Sequence, residues 1–386
     1  MSTAASSDDA PRLPCKVCGR PSSARCARCL GAFYCGGGGQ RADWAAHKAP
    51  CKAAGEIKVQ TGAAGSDEAL DAWLAKNKAG AESGNAKAQY NLGLCYRNGT
   101  GVAADPRATF DWLRRAAAAG FAPAMTEVGI CYENGIAVAV DAAEAYSWYR
   151  RSAEAGDVAA AVLLGNCYLS GIGTVADASM AFQWMTHAAK TGNRIARFYL
   201  GVYYKDGVGV AADARAAIKW FKLAADAGYP DAACEIGLIF THGADGVAAD
   251  MREAVKWYHR GAEAGDAVAQ NLLGLYFEKG MGVTADIREA FKWYMRAAKG
   301  GLAIAQFSVG CCFLDGDGVD ADACAAVKWY RRAAEAGFAP AQLALGECYR
   351  DGVGVEPDAG AAREWLARAA ASKAREAAAV RASQQR

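Results

Sequence analysis

Apolar residues recur along most of this chain with a helical period set inside a longer repeat. Eight stretches each carry an alanine, an aliphatic residue four positions later and an aromatic residue four positions after that, as in Ala88, Leu92 and Tyr96. Positions i, i+4 and i+8 lie on one face of an α-helix, so each stretch predicts the first helix of a unit. The units are spaced 36 residues apart, with a single interval of 37, and start at Asn85, Phe121, Asp157, Asn193, Tyr229, Asp266, Leu302 and Phe338.

A second helix is predicted in the latter half of every unit. In the first unit, Gly99 ends the first helix, a short Gly-Val loop follows, and Asp105 precedes an Ala-rich amphipathic run. Aspartate is a favoured N-cap because its carboxylate accepts hydrogen bonds from unpaired N–H groups. The run holds one tryptophan per unit, which we expect to be buried: Trp112, Trp148, Trp184, Trp220, Trp257, Trp293, Trp329 and Trp365. Self-similarity at this period predicts an all-α solenoid, whose usual product is an extended binding surface.

A glycine follows the aliphatic residue of every first helix, from Gly93 to Gly346. Glycine is costly inside a helix, so we expect that another helix approaches closely at this position. Eight of the fourteen cysteines also lie in the units. They have no regular partner on the second helices, which predicts small apolar packing residues rather than disulfides.

The repeat pattern A-x-x-x-L-G-x-x-Y-x-x-G-x-G-V-x-x-D-x-x-x-A-x-x-W-Y-x-x-A-A-x-x-G is similar to that of the Sel-1-like repeat family, which is related to the tetratricopeptide repeats. The match covers residues 85–373, about three quarters of the chain. The resemblance implies a right-handed α/α superhelical solenoid that bridges other proteins in complexes. An incomplete unit at residues 67–84 is expected to cap the array, and residues 374–386 to form a basic C-terminal helix or tail.

A second kind of pattern occupies residues 15–51, which contain six cysteines. Their ladder is Cys15-x2-Cys18-x7-Cys26-x2-Cys29-x5-Cys35, followed by His47-x3-Cys51. This spacing indicates zinc ligands, and a segment this short needs the metal for folding, at about 10 kcal/mol per structural ion. Disulfides are the alternative, and the polar residues 1–14, which we predict to be disordered and which show no signal peptide, count against it.

The run Tyr34-Cys35, Gln40, Asp43-Trp44, His47-Lys48 and Cys51 resembles the MYND-type zinc finger, which cross-braces two zinc ions. The resemblance assigns one zinc to Cys26, Cys29, His47 and Cys51. It assigns the other to Cys15, Cys18, Cys35 and a further cysteine, whose place Gly39 holds. It thus implies one firmly held zinc and a second site that lacks a ligand. In that family, the residues matching Gln40 and Trp44 line a groove for short proline-containing peptides.

Residues that differ between units are the candidates for partner binding on the array. The sixth position of a unit holds Tyr90, Phe198 and Phe307 in three of them, and lies beside the invariant stripe. The tenth and thirteenth positions vary in the same way. Two alternatives stay open, a peptide-binding groove and packing between neighbouring units.

Composition narrows the function further. The net charge is +2, no apolar run reaches membrane-spanning length, and no catalytic order of residues occurs. Residues 15–52 hold seven Lys/Arg against one acid, but ligating thiolates offset this charge, so a nucleic-acid surface is the weaker interpretation. We predict a non-enzymatic, monomeric, cytoplasmic or nuclear adaptor that recruits proteins, with residues 52–66 as a linker. The alternatives are an adaptor in ubiquitin-dependent quality control and a nuclear transcriptional co-repressor.

Overall fold

The structure, a computed structural model, describes residues 67–384 and four two-residue strands nearer the N-terminus. Strand β1 (Leu13–Pro14) pairs antiparallel with β2 (Pro21–Ser22), and β3 (Ala24–Arg25) pairs antiparallel with β4 (Phe33–Tyr34). Seventeen α-helices follow in the described part of the chain.

Helix α1 (Asp67–Glu82) precedes eight two-helix units. The first helices of the units are α2 (Ala86–Asn98), α4 (Ala122–Asn134), α6 (Val158–Ser170), α8 (Arg194–Asp206), α10 (Asp231–His242), α12 (Ala267–Lys279), α14 (Ala303–Asp315) and α16 (Ala339–Asp351). The second helices are α3 (Pro106–Ala118), α5 (Ala142–Glu154), α7 (Ala178–Lys190), α9 (Ala214–Asp226), α11 (Met251–Glu263), α13 (Ile287–Lys299), α15 (Ala323–Glu335) and α17 (Ala359–Gln384).

The helices belong to two compact units, α1–α10 and α11–α17. In each of them, every helix packs against the helix before it and the helix after it in sequence. Such nearest-neighbour packing is the defining property of a solenoid. The predicted all-α solenoid architecture is confirmed.

The loop aspartates cap the second helices in all eight units, as predicted. Asp105 Oδ1 accepts hydrogen bonds from the backbone N–H groups of Arg107 at 2.8 Å and Ala108 at 3.1 Å. The same contact is made by Asp141, Asp177, Asp213, Asp250, Asp286, Asp322 and Asp358. Seven first helices end at a glycine in the left-handed conformation. The exception is Gly243, with φ 69° and ψ 167°, in the unit that contains the extra residue.

The glycine inside each first helix makes room for the residue that follows the tryptophan. A Cβ added to Gly201 would lie 2.4 Å from Cδ1 of Phe221, and one added to Gly129 would lie 2.6 Å from Cε1 of Tyr149. Both rings are fully buried. The predicted close approach of a second helix is therefore confirmed at these glycines.

The tryptophans are less buried than the sequence led us to expect. Trp293 is buried, but the other seven, including Trp220, are half-buried. The residue after the tryptophan, such as Phe221, points into the core instead because it faces the helical glycine. This residue is therefore the main core side chain of the second helix.

The second glycine of most loops lets the backbones of consecutive units approach closely. A Cβ added to Gly209 would lie 2.0 Å from the carbonyl oxygen of Ala178, at the start of the preceding unit's second helix. In the second unit this glycine is replaced by Ala137, whose φ of 61° is unique among the non-glycine residues that the structure describes. A left-handed alanine is strained, so this loop carries a local destabilising feature.

The two ends of the helical array differ from its middle. Leu74 and Ala81 of α1 pack against Leu92 and Cys95 of α2, which covers the first unit. At the other end, α17 does not stop where the earlier second helices stop but continues to Gln384. The Ser372 hydroxyl on α17 donates a hydrogen bond to Oε1 of Gln342 at 3.0 Å, which fixes this extension at its start.

Candidate interaction surface and finger

The proposed metal ligands lie outside the described residues. They are Cys15, Cys18, Cys26, Cys29, Cys35, His47 and Cys51. The described strands nevertheless bracket both pairs of ligands, because Cys15 and Cys18 fall between β1 and β2, and Cys26 and Cys29 fall between β3 and β4. A Cys-x2-Cys sequence between paired strands, with thiolate and imidazole donors, fits a zinc site.

Of the predicted peptide-binding residues, Gln40 and Trp44 also lie outside the described residues. The three on the array are half-buried, and each meets the first residue of the next unit. The Tyr90 ring lies 5.2 Å from that of Phe121, and the Phe198 ring lies 4.6 Å from that of Tyr229. The Phe307 ring lies 5.6 Å from that of Phe338. Sixth-position aromatic residues therefore join neighbouring units, and only part of each ring is left for a partner.

The junction between the second and third units is polar instead. Thr126, at the sixth position, hydrogen-bonds to Asp157, the first residue of the next unit, and its hydroxyl lies 2.7 Å from that of Ser152. Ser152 also donates to the carbonyl oxygen of Ala122 at 2.7 Å. Thr126 and Ser152 are buried, so each hydroxyl has a partner within the protein. A sixth-position residue is thus matched chemically to the first residue of the following unit.

The thirteenth position carries two kinds of contact. In two units it is basic and forms an ion pair with the next unit, namely Arg97 with Glu127 at 2.6 Å and Lys205 with Glu235 at 2.8 Å. These pairs bridge one first helix to the next. They also place partly exposed charges on the surface that the first helices form.

Where the thirteenth position is acidic, it accepts a hydrogen bond from a buried tyrosine of its own unit. Tyr149 donates to Glu133, and Tyr294 donates to Glu278, each at 2.7 Å. Burial opposes ionisation of Glu278, but the hydrogen bonds from Lys279 and Tyr294 outweigh it and hold the pKa of that carboxyl below its usual value. Glu278 is therefore an anion at neutral pH.

The second helices present a different surface, on which arginine stacks over tryptophan. The guanidinium carbon of Arg332 lies 4.5 Å from the centre of the Trp329 ring. The same i, i+3 arrangement occurs for Arg115, Arg151, Arg260, Arg296 and Arg368 over their tryptophans. These stacks were not predicted from the sequence, although an arginine follows the tryptophan by three residues in six units. A stack of this kind contributes about 0.5–1 kcal/mol at an exposed site.

Metal-binding potential and thiol reactivity can be read from residues 67–384. In this part of the chain, no group of His, Cys, Asp and Glu side chains could hold a metal ion. Burial raises the pKa of the Cys131 thiol to about 12 and that of the Cys312 thiol to about 12, so both stay protonated and unreactive at neutral pH. All eight cysteines of the array are free thiols, and six of them are buried packing residues as predicted, whereas Cys311 is half-buried and Cys324 is exposed. No helix in the described part is both long enough and apolar enough to cross a membrane.

Two family models match the chain. The model described as Sel1 repeat matches residues 86–121, 122–157, 158–193, 194–229, 230–266, 267–302, 303–338 and 339–373. The model described as MYND finger matches residues 15–51. No curated protein matches the chain.

Two solved structures are similar over most of the array. A Sel1 repeat protein from Oxalobacter formigenes is 32% identical, over 78% of this chain and 88% of its own, with a TM-score of 0.65. The protein c5321 of uropathogenic Escherichia coli, described as a protective antigen with an SLR fold, is 33% identical over 77% of this chain, with a TM-score of 0.66. This chain covers 64% of the length of that antigen.

Proposed function

Because the chain belongs to the Sel1 repeat family and carries a MYND finger, we propose that it is a non-enzymatic adaptor that holds protein partners together. A Sel1 repeat array with such a finger fits a protein-interaction scaffold. In this proposal the finger binds one partner and the array binds another.

One observation carries the proposal. The positions that are alike in every unit are used for folding: the buried alanine, the helical glycine and the capping aspartate. The first helices also carry partly exposed positions that change from unit to unit, such as Leu163, Tyr199 and Glu235 at the seventh position. A constant frame with a variable exposed layer supports recognition of macromolecules rather than a single reaction centre.

The MYND finger family implies zinc binding. We assign one zinc to Cys26, Cys29, His47 and Cys51, and a weaker site to Cys15, Cys18 and Cys35, where Gly39 replaces the fourth ligand. Zinc would fold the finger and so hold Gln40 and Trp44 in place for a proline-containing peptide. Elemental analysis of the purified protein, which counts zinc per chain, tests this assignment.

Affinity purification with mass spectrometry tests the adaptor function. Proteins that bind the full chain but not a chain shortened to residues 67–386 are assigned to the finger, and those retained by the shortened chain to the array. We expect both groups to be populated. If neither chain retains a reproducible partner, the adaptor function is wrong.

We place the adaptor in the cytoplasm or the nucleus as a monomer, with protein rather than nucleic acid as its partner. Imaging of a tagged chain tests the location, and light scattering tests the oligomeric state. A gel-shift assay with DNA and RNA tests the preference for protein, because a complex that forms at physiological salt would contradict it.

A further inference from the structure

Two neighbouring first helices expose large aliphatic side chains at the same position. Val268 on α12 is 48% exposed and Ile304 on α14 is 44% exposed, and both are the third residue of their unit. The next unit continues the row with Pro340, which is also exposed. A contiguous apolar row on the surface indicates an interaction site more strongly than scattered single residues do.

The residues around this row extend the apolar surface. Leu272 and Leu275 on α12 are half-buried, and Leu314 near the end of α14 is 37% exposed. Leu275 packs against a cluster that includes Val309 and Cys312 of α14, so the two helices lie side by side. We call Val268, Leu272, Leu275, Ile304 and Leu314 the aliphatic surface.

Exposure of this kind is not a general property of the array. The second helices of the same region carry lysines on their outer faces, namely Lys256, Lys292 and Lys328. At the third position, Lys87 and Asp231 of other units are exposed and charged, and Ile195 is half-buried. Within the described residues, Val268 and Ile304 are thus the exposed large aliphatic residues at this position.

One edge of the aliphatic surface is negatively charged. Asp315 ends α14 and Asp317 follows in the loop, and neither forms an ion pair with any residue that the structure describes. The neighbouring acids Glu278 and Asp351 are paired with Lys279 and Arg350. Besides Glu278, the charge of Asp317 raises the pKa of the neighbouring Lys279, so the charge of Asp317 is partly offset by that ammonium group.

We propose that the aliphatic surface binds a linear segment of a partner protein that carries two large aliphatic residues and a Lys or Arg. The aliphatic residues cover Val268 and Ile304, and the basic residue pairs with Asp315. This proposal rests on the adaptor function above and specifies the chemistry of the partner bound by the array.

Selection from a random peptide library displayed on phage, with the immobilised full chain as target, tests this inference. The informative variants are Ile304→Lys, which places a charge in the row, and Asp315→Lys, which reverses the charge at the edge. Leu223→Lys is the matched control, because Leu223 is 42% exposed and lies on a second helix, α9, of the fourth unit. Circular dichroism confirms that each variant keeps its helix content.

The expected result is enrichment of peptides with two large aliphatic residues and a basic residue. Ile304→Lys should weaken their binding by at least about tenfold, which corresponds to the loss of one good anchor residue, whereas Leu223→Lys should leave it unchanged. Asp315→Lys should shift selection from basic to acidic peptides.

Two results would overturn the inference. One is that no such motif is enriched, and the other is that the enriched peptides bind Ile304→Lys as well as they bind the unaltered chain. In either case the adaptor function survives if partners still co-purify with residues 67–386, so the two proposals fail separately.

Discussion

Replacing Gly201 by alanine is a direct test of why the first helices contain glycine. The added Cβ would lie 2.4, 2.5 and 2.8 Å from three ring carbons of Phe221. Carbon atoms in contact normally lie about 3.5–4.0 Å apart, so ring and helix would have to separate by roughly 1 Å. Phe221 is fully buried and its ring lies 5.5 Å from that of Phe198, which blocks this movement.

The expected loss follows from two opposing effects. Overpacking a filled core costs about 1–3 kcal/mol, and the rigid, enclosed Phe221 ring places this site at the upper end. Alanine is more favourable than glycine in a helix interior by about 1 kcal/mol. Gly201→Ala should therefore lower the free energy of unfolding by about 2 kcal/mol, measured from the urea midpoint and from hydrogen exchange of the α8 and α9 amides.

Gly165 offers a matched control in the preceding unit. The nearest atom to a Cβ added there is Cε of Met185, at 3.2 Å, followed by the carbonyl oxygen of Ala181 at 3.5 Å. A methionine end can move aside, so Gly165→Ala should be neutral or stabilise by up to about 1 kcal/mol. The double variant Gly201→Ala with Phe221→Met should recover part of the loss. Equal losses for the two glycine variants would refute close packing as the reason for this glycine.

Four further predictions follow from the same structure. Ala137→Gly should stabilise the array by about 1 kcal/mol in urea denaturation by relieving a left-handed alanine, and a loss of stability would contradict the strain. Phe221→Ala should cost about 3–5 kcal/mol and Trp220→Ala less, since only the former is fully buried, and the reverse order would restore tryptophan as the main core residue. Thr126→Val should lower the free energy of unfolding by about 1–3 kcal/mol, because it removes the hydrogen-bond donor to Asp157. The double variant Thr126→Val with Asp157→Asn reproduces the pair Val162 and Asn193 of the next junction, and it should lose less stability than the sum of the two single variants. Gly39→Cys should raise the zinc that survives mild chelation from one ion to about two per chain by elemental analysis, and an unchanged count would argue against Gly39 as the missing ligand position.

The sequence was sufficient for those features that recur in every unit. A feature that occurs eight times, such as the loop aspartate before each second helix, is not a chance occurrence. Asp105 and its equivalents all cap their second helices as predicted. The same holds for the helical glycine, whose cost in a helix pointed to close packing before any distance was known.

Features that depend on a pair of units were harder to predict. Tyr90 and Phe198 looked like exposed candidates for peptide binding because the sixth position varies, and their partners Phe121 and Tyr229 lie at first positions that also vary. Each position alone resembles surface variation. Only the packing shows that the two vary together, because one side chain lies against the other across the junction.

The burial of Trp220 was misjudged for a related reason. Size and regular spacing favour tryptophan as the core residue. However, only one side of the second helix faces the first helix of its own unit, and the helical glycine marks that side. Phe221, one residue further and about 100° around the helix, faces Gly201 and fills the space that glycine leaves. Reading the glycine and the second helix together, rather than the tryptophan alone, would have identified Phe221.

These pairings also limit where a partner can be recognised on the array. The constant positions are used for folding, and the sixth positions are largely used to match one unit to the next, as Thr126 and Asp157 show. The third, seventh and thirteenth positions of the first helices remain available for a partner. The charge and polarity of the residues at these positions change along the chain. Ion pairs such as Arg97 with Glu127 occupy some of these positions, whereas Val268 and Ile304 place exposed aliphatic side chains at others. Paired charges gain little from a new partner, because binding must first desolvate them, while exposed aliphatic groups gain from burial on contact. The exposed aliphatic residues of the sixth and seventh units therefore offer a partner a gain in free energy that the paired charges do not.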